Sequence, residues 1–290
     1  MRSGSLYLVA TPIGNLEDIS LRSLRVLKQV AQIACEDTRQ TRKLLGHYGI
    51  ATPTLPFHRF NEHRILPGLL KKLLSGEDLA LVTDGGTPSI SDPGFSLVRA
   101  AVEKGAPVVP VPGPSAPLAA LIASGLPADR FVFLGFLPHR SGERKRFLSA
   151  LGDRTETMVF FDSPRRVGRS LQEMAAIFGD RRAAICREMT KIHEEFLRGS
   201  LEILAKEAGE RTMKGEITLV VEGTAEGQVR PQGEVDLCRA VSEAMVRYGL
   251  SRRDAVRDVA RRCGIPRREV YRVARAVKQK ASGDASSSEE

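Results

Sequence analysis

No run of apolar residues in this sequence approaches the ~20 needed to cross a bilayer, so no membrane-spanning helix is expected. Cysteine is scarce. Cys35, Cys186, Cys238 and Cys263 stand far apart with no Cys-x-x-Cys pair, which argues against both a zinc site and a disulfide framework. Nucleotide-binding signatures are missing too: no Gly-x-Gly-x-x-Gly follows an apolar run, and no Gly-x-x-x-x-Gly-Lys-Ser/Thr occurs, so the usual dinucleotide and P-loop readings fail. His-Glu-x-x-His and dense His/Asp clusters are absent, and no catalytic metal is expected. Residues 1–5 run into the apolar Leu6–Ala10 without a charged leader and a long apolar stretch. With the scattered cysteines, this reads as a protein of the reducing cytoplasm.

What is present is enough apolar side chain, 42% of 290 residues, to bury the cores of two domains and an appendage. The net charge of +9 suggests a polyanionic partner, and its distribution is uneven: residues 230–280 hold 14 Lys and Arg against 6 Asp and Glu. A basic C-terminal module is expected, either as a nucleic-acid contact or as a solvated helical surface.

Short β-rich runs alternate with helix-period segments: Leu6–Ala10, Gln32–Cys35, Leu79–Thr83, Val108–Val111, Phe131–Gly135, Met158–Phe161, Ala183–Cys186 and Ile217–Val221. This alternation predicts an α/β fold with largely parallel sheets. Between the first two runs, Ile19, Leu21, Leu24, Leu27 and Val30 recur at mainly three- and four-residue steps, as the buried stripe of a helix. Pro112-Gly113-Pro114 marks a boundary, giving an N-terminal α/β domain over 1–113 and a second α/β domain over 114–223. Residues 224–233 read as a linker, 234–280 as an all-helical module and 281–290 as a disordered tail. Within the module, Ser251 with Asp254 forms a capping box for a helix to about Arg262. A turn at 263–266 and a second helix from Arg267 to Val277 complete a helix-turn-helix outline, in which Tyr271 reads as core.

Three turn-rich loops follow strands of the first domain: Thr11–Asn15, Asp84–Gly94 and Pro112–Ala116. Ligands bind at the carboxyl ends of parallel strands; glycine lets a ligand approach the backbone, and proline stiffens a loop without demanding hydrogen bonds. The alternative is ordinary connecting turns. His58 and His63, around Asn61-Glu62, read as surface or RNA-contacting residues rather than metal ligands.

With these motifs the chain resembles the class III, tetrapyrrole-methylase-like methyltransferases, in the branch that methylates small-subunit ribosomal RNA. The resemblance rests on Leu8–Leu16, Glu36–Arg39, Asn61-Glu62, Asp84–Gly94, Pro112–Ala116, Phe133–Pro138, Ser163–Arg166, Arg187–Lys191 and Gly215–Thr218. These run in family order over nearly the whole chain. Gly85 departs from the family's expected Ala. The resemblance implies a tetrapyrrole methylase fold, two α/β domains with S-adenosylmethionine in the cleft between them, plus the small helical module. Pro12, Asp84, Gly86, Thr87 and Pro88 would line the N-domain side, Ser115 and Ala116 the crossing, and Phe161, Glu216 and Ile217 the C-domain side. It also implies a homodimer and a 16S rRNA or small-subunit substrate, methylated on the 2'-hydroxyl of a cytidine in the decoding region.

A ribose 2'-hydroxyl is a weak acid, so a base that takes its proton would help the transfer. Glu36, Asp37, Glu188 and Lys191 all follow strands and are the candidates. Glu36–Arg39 is preferred, with Arg39 on a phosphate, although Asp37 or Thr38 also suits a helix cap. RNA phosphates are expected on Arg252, Arg253, Arg261, Arg262, Arg267, Arg268 and Arg272, with Arg140, Arg144, Lys145 and Arg146 as a second patch. A small tetrapyrrole substrate is the competing reading, and a non-enzymatic helix-turn-helix DNA-binding protein a further one.

Overall fold

The computed structural model describes residues 3–224 and, beyond them, 237–238, 240–242, 244–245, 250–263 and 266–272. The expected linker from 225 on, the turn at 264–265, the second helix beyond 272 and the tail at 281–290 lie outside the described residues.

The first sheet holds β1 (Leu6–Val9), β2 (Gln32–Cys35), β3 (Thr54–Pro56), β4 (Leu79–Leu81) and β5 (Val108–Val111), in the order β3-β2-β4-β1-β5. Every pairing is parallel. Parallel neighbours need long crossovers, which here are α1 (Leu21–Gln29), α2 (Thr38–His47), α3 (Glu62–Leu74) and α4 (Phe95–Glu103). The crossovers cover both faces, so the strands read as apolar runs rather than alternating ones. Val26, Leu27, Leu44 and Leu45 of α1 and α2 pack on one face. Leu69, Leu73, Leu97 and Ala101 of α3 and α4 pack on the other. Leaving β1, the chain turns toward β2; leaving β4, it turns toward β5 on the opposite face. The carboxyl ends of these two adjacent strands therefore flank a crevice.

The second sheet, β6 (Phe131–Phe136), β7 (Thr157–Asp162), β8 (Arg182–Arg187), β9 (Glu195–Ser200) and β10 (Ile217–Val221), runs in the order β6-β7-β10-β8-β9. Here the expectation of parallel strands fails: only β6 and β7 are parallel, and β7, β8 and β9 pair antiparallel with their other neighbours. β8 returns directly into β9 through the loop at 188–194, and such a short return leaves no room for a crossover. On one face lie α6 (Ser141–Ser149), α7 (Val167–Phe178) and α8 (Leu201–Glu210). The other receives α5 (Ala116–Ser124), whose Ala120 and Leu121 sit on Val159, Ala184, Cys186 and Val220. Immediately after Pro112-Gly113-Pro114, then, the chain joins the second sheet.

Two apolar positions read as buried are not. Leu21, the first residue of α1, is 86% exposed, because the inward face of the helix is Ser23, Val26 and Leu27. Tyr271 is exposed while Val270 beside it is buried. Ser251 does cap α9 (Arg252–Cys263), accepting Asp254 N–H at 3.2 Å, but the Asp254 carboxylate accepts the Ser251 hydroxyl at 2.6 Å, which is half of the expected capping box.

Arg144 is also corrected. It is 2% exposed, and its guanidinium donates to both carboxylate oxygens of Glu173 at 2.7 and 3.1 Å and to the carbonyls of Pro138 and His139. With its donors spent inside the protein it cannot receive an RNA phosphate. Burial alone would raise the Glu173 carboxyl pKa, but hydrogen bonds from Arg144 and Ser141 outweigh it and hold the group below the usual carboxylate range. Its folded pKa is depressed, so the pair's contribution is present above the unfolded value near ~4.3 and lost as pH falls through the folded one. Arg144→Ala, which leaves a buried carboxylate uncompensated, is expected to lower unfolding free energy by about 3–5 kcal/mol at neutral pH. Denaturant titration checks this, and the loss should shrink in acid.

Candidate active site at the junction of the two sheets

The loops that follow β1 and β4 are joined at the backbone. Thr11 N–H donates to Gly86 O and Gly86 N–H to Thr11 O, both at 2.9 Å, and Thr11 Oγ1 donates to Thr83 O at 3.0 Å. Gly86 has φ +95°, a conformation that a side chain makes costly. Thr87 Oγ1 then donates to Pro114 O at 3.1 Å, which ties in the third loop. The three loops thus form one wall of a cleft of about 580 Å³, within the usual range for small-molecule sites.

Asp84, Gly86, Thr87, Ser115 and Ala116 line this wall. Pro12 and Pro88 do not. Pro88 is buried beneath the loop, and Pro12 stands behind it, its carbonyl 3.3 Å from where a Cβ on Gly85 would sit. Ile13 lines the cleft in place of Pro12.

The opposite wall carries Phe161, Glu216 and Ile217, together with residues that sequence reasoning missed: Phe136, Asp162, Ser163 and Thr218. Phe161 sits between Phe133 and Phe136, with ring centroids 5.0 and 5.1 Å away. Asp162 ends β7. One of its carboxylate oxygens accepts from Ser163 N–H and from Arg166, while Oδ2 is buried with no hydrogen-bond partner. The walls meet where Asn15 N–H donates to Thr190 Oγ1 at 3.0 Å. A Cβ on Gly14 would fall 2.4 to 2.9 Å from Lys191, Thr190 and Met189, so only glycine fits there.

The four candidate bases differ sharply. Asp37 caps α2 by accepting Arg39 N–H at 2.8 Å, and its carboxylate is paired with the Arg39 guanidinium at 3.0 Å. The hydrogen bond from the Arg39 side chain is the main reason its pKa is lowered. Glu188 accepts from Lys191 Nζ at 2.8 Å and from Glu216 N–H at 2.9 Å, and it too is held below the usual range. Burial would lower the Lys191 pKa, yet its bonds to Glu188 and Glu216 prevail and raise it. These three groups are therefore fixed as ions. Glu36 alone moves toward a working base: desolvation, followed by the charges of Asp84 and Asp92, raises its pKa, opposed by His58 and Arg59. Asp84 and Asp92 are raised as well, in each case first by desolvation, and Asp84 Oδ1 accepts Asp37 N–H at 3.1 Å.

Among the predicted RNA contacts, Arg39 is exposed on α2 next to Gln40, which lines the cleft, and Arg253, Arg267 and Arg268 are exposed on the helical module. Arg252 is partly covered, and Arg261 and Arg262 occupy backbone positions of α9. Among the described residues, no group of three or more His, Cys, Asp or Glu is placed to hold a metal, and no helix is long and apolar enough to cross a membrane.

The cleft suits a folded sulfonium nucleoside: Phe161 and Phe136 offer aromatic surface to a purine, the Gly86 backbone offers close approach, and the orphaned Asp162 Oδ2 is an unused acceptor. Gly86→Ala, which forces a Cβ into positive φ, is expected to weaken S-adenosylmethionine affinity about 5- to 100-fold, the equivalent of ~1–3 kcal/mol of backbone strain. Isothermal titration of the variant against the parent checks this.

Comparison with known proteins agrees with this geometry. The family profile described as Tetrapyrrole (Corrin/Porphyrin) Methylases matches residues 5–205. The ribosomal RNA small subunit methyltransferase I of Halalkalibacterium halodurans is 45% identical over 274 residues, covering 93% of this chain and 94% of that one. Its counterpart in Mesorhizobium japonicum is 50% identical over 234 residues, 80% and 79% of the two chains. Among solved structures, diphthine synthase aligns with a TM-score of 0.60 at 17% identity, over 76% of this chain and 90% of its own. Uroporphyrin-III-C-methyltransferase from Thermus thermophilus gives 0.54 at 23% identity, over 76% and 94%. At those identities the structural likeness is one of fold. On the profile and the sequence relatives together, the chain belongs to the tetrapyrrole (corrin/porphyrin) methylase family, with ribosomal RNA small subunit methyltransferases I among its relatives.

Proposed function

We propose that this protein is a cytoplasmic, S-adenosylmethionine-dependent methyltransferase that methylates the ribose 2'-hydroxyl of a cytidine in the decoding region of 16S rRNA, with the small ribosomal subunit as its substrate. The observation that carries the reading is the two-walled cleft, with strand-end carboxylates on one side and a cluster of tilted phenylalanines on the other, in a chain whose relatives are named for small-subunit rRNA. The basic helical module supports a polyanionic substrate, since exposed Arg253, Arg267 and Arg268 suit phosphates. Exposed Leu118 and Ile122, one turn apart on α5, support a second copy seated there as a homodimer.

Bound in the cleft, the sulfonium supplies a methyl group already activated for transfer. The chain's own work is then to position and to move one proton. Asp84 anchors a polar part of the donor, Ser115 and Ala116 line the crossing between walls, and Phe161 covers the base. Arg39, exposed beside the mouth, holds a phosphate of the target nucleotide. Glu36 accepts the 2'-hydroxyl proton, which is expected to contribute ~100- to 10,000-fold to the rate. Asp37, Glu188 and Lys191 shape the site as a cap and as a fixed ion cluster.

Mass-spectrometric mapping of 2'-O-methylation on small-subunit RNA, with and without the protein, tests the reading. A new 2'-O-methylcytidine is expected, whereas turnover of a porphyrinoid with no mark on rRNA or small subunits would overturn it. Glu36→Gln should keep cofactor affinity within twofold and lose ~100-fold or more in kcat. Because the Glu36 carboxyl is raised, kcat of the parent should fall as pH drops through a value above ~4.3, the ordinary Glu pKa; a pH–rate profile lacking that acid limb would remove Glu36 from the role.

Removing residues 234–290 should weaken RNA binding and flatten its salt dependence while leaving cofactor affinity intact. An unchanged slope of log K against log salt would refute the RNA role of the module.

A further inference from the structure

Phe60 is 94% exposed, in a loop where every other anchor points inward. Phe57 is buried at 1% exposure, and its N–H donates to Cys35 O at 2.7 Å, which locks the start of the loop to the end of β2. Asn61 is buried, accepts from His58 N–H at 2.8 Å and donates to Pro56 O at 3.0 Å. Glu62 accepts from Ser96 Oγ at 2.8 Å and so ties the loop to α4. The segment is therefore pinned at three points. Phe60 stands outside it, with only the edge of the His58 ring near it at 6.2 Å between centroids. A pinned loop that leaves a whole phenyl ring in water forgoes the usual gain from burying it.

The surroundings are cationic and close to the reacting edge. Arg59, His63 and Arg64 are exposed in the same seven residues, and Arg39, Arg42 and Lys43 are exposed on α2 next door. Cys35 pairs with Pro56 across β2 and β3, so this loop emerges from the carboxyl edge beside Glu36. Arg59 and His58 are near enough to act on the Glu36 charge. An aromatic face ringed by positive side chains is the chemistry that binds unpaired nucleotides: the base stacks and the cations take the flanking phosphates.

We propose that Phe60 is a stacking platform for an unpaired base of the RNA substrate adjoining the methylated nucleotide, with Arg59 and Arg64 on its phosphates. The occupant is a single-stranded stretch of RNA, not a second protein chain. The inference rests on the rRNA reading above.

The test uses the full-length protein and its Phe60→Ala, Phe60→Trp and Arg59→Ala variants, with small subunits as substrate. Phe60→Ala is expected to lower kcat/KM about 5- to 100-fold, mainly through KM. S-adenosylmethionine affinity and melting temperature should not change, because Phe60 touches neither the cleft nor a core. Phe60→Trp should restore most of the loss, and Arg59→Ala should reduce the slope of log K against log salt by about 0.7. Should the parent methylate the RNA while Phe60→Ala matches it, the platform is refuted and the rRNA reading stands. A parent inactive on every RNA substrate would remove the reading beneath it instead. Loss of dimer in Phe60→Ala by light scattering, with RNA affinity intact, would assign Phe60 to an interface between copies and overturn the proposal.

Discussion

The two-way backbone bond between Thr11 and Gly86 is the constraint on which the rest of the site depends. The loops after β1 and β4 leave their strands toward opposite faces of the sheet, and without a tie they would splay apart. The bridge closes them at the strand ends, and the Thr11 hydroxyl bond to Thr83 fixes the turn just before Asp84. Everything downstream is referenced to this point: Asp84 sits one residue beyond, Thr87 reaches to Pro114, and Gly14 is carried forward against the second domain. A glycine at 86 is required because the bridge demands positive φ there.

The opposing wall uses a different device. The loop from Glu188 to Lys191 holds Glu188 at φ +48° and Thr190 at φ +65°, and the loop facing it holds Ser89 and Ser91 at φ +66°. None is glycine, so each carries backbone strain of order 1–3 kcal/mol. Around Glu188 that strain is offset by charge: its carboxylate receives both an ammonium and a backbone N–H. Non-glycine residues with positive φ gathered at the facing edges of two sheets are what a preorganised cleft looks like at the level of dihedrals.

Much of this was legible in the sequence, for identifiable reasons. Apolar runs announced eight strands, since buried parallel strands and central strands need little else. β3 and β9 were silent: Thr54–Pro56 is short and ends in proline, and Glu195–Ser200 is an edge strand with Arg198 and Gly199 in its middle. Strand direction in the second sheet was also unreadable, because apolar runs are the same in either sense. The loops around Asp84 and Ser115 were visible through their glycines and prolines, and Asp37 through its capping position. Asp162 was hidden, a single carboxylate at the end of an apolar run whose importance lies in an oxygen left without a partner. Arg144 was misread because charge on a helix says nothing of a glutamate 29 positions away that faces it from α7.

The carboxylates at the centre of a basic protein sort what can come near. Desolvation first, and then a neighbouring carboxylate in each case, raises the proton affinity of Glu36, Asp84 and Asp92, while Arg39, Arg42, Lys43 and Arg59 stand exposed around them. A phosphodiester chain gains at that rim and is repelled from the middle, so its backbone comes to rest on the periphery. Only an uncharged part of a nucleotide meets no penalty on going further in, and a sugar hydroxyl is such a part. The same field favours the positively charged sulfur of a methyl donor and would disfavour its retention once the methyl group, and with it the charge, has gone. On the function proposed above, product release would follow from the electrostatics of the entry path.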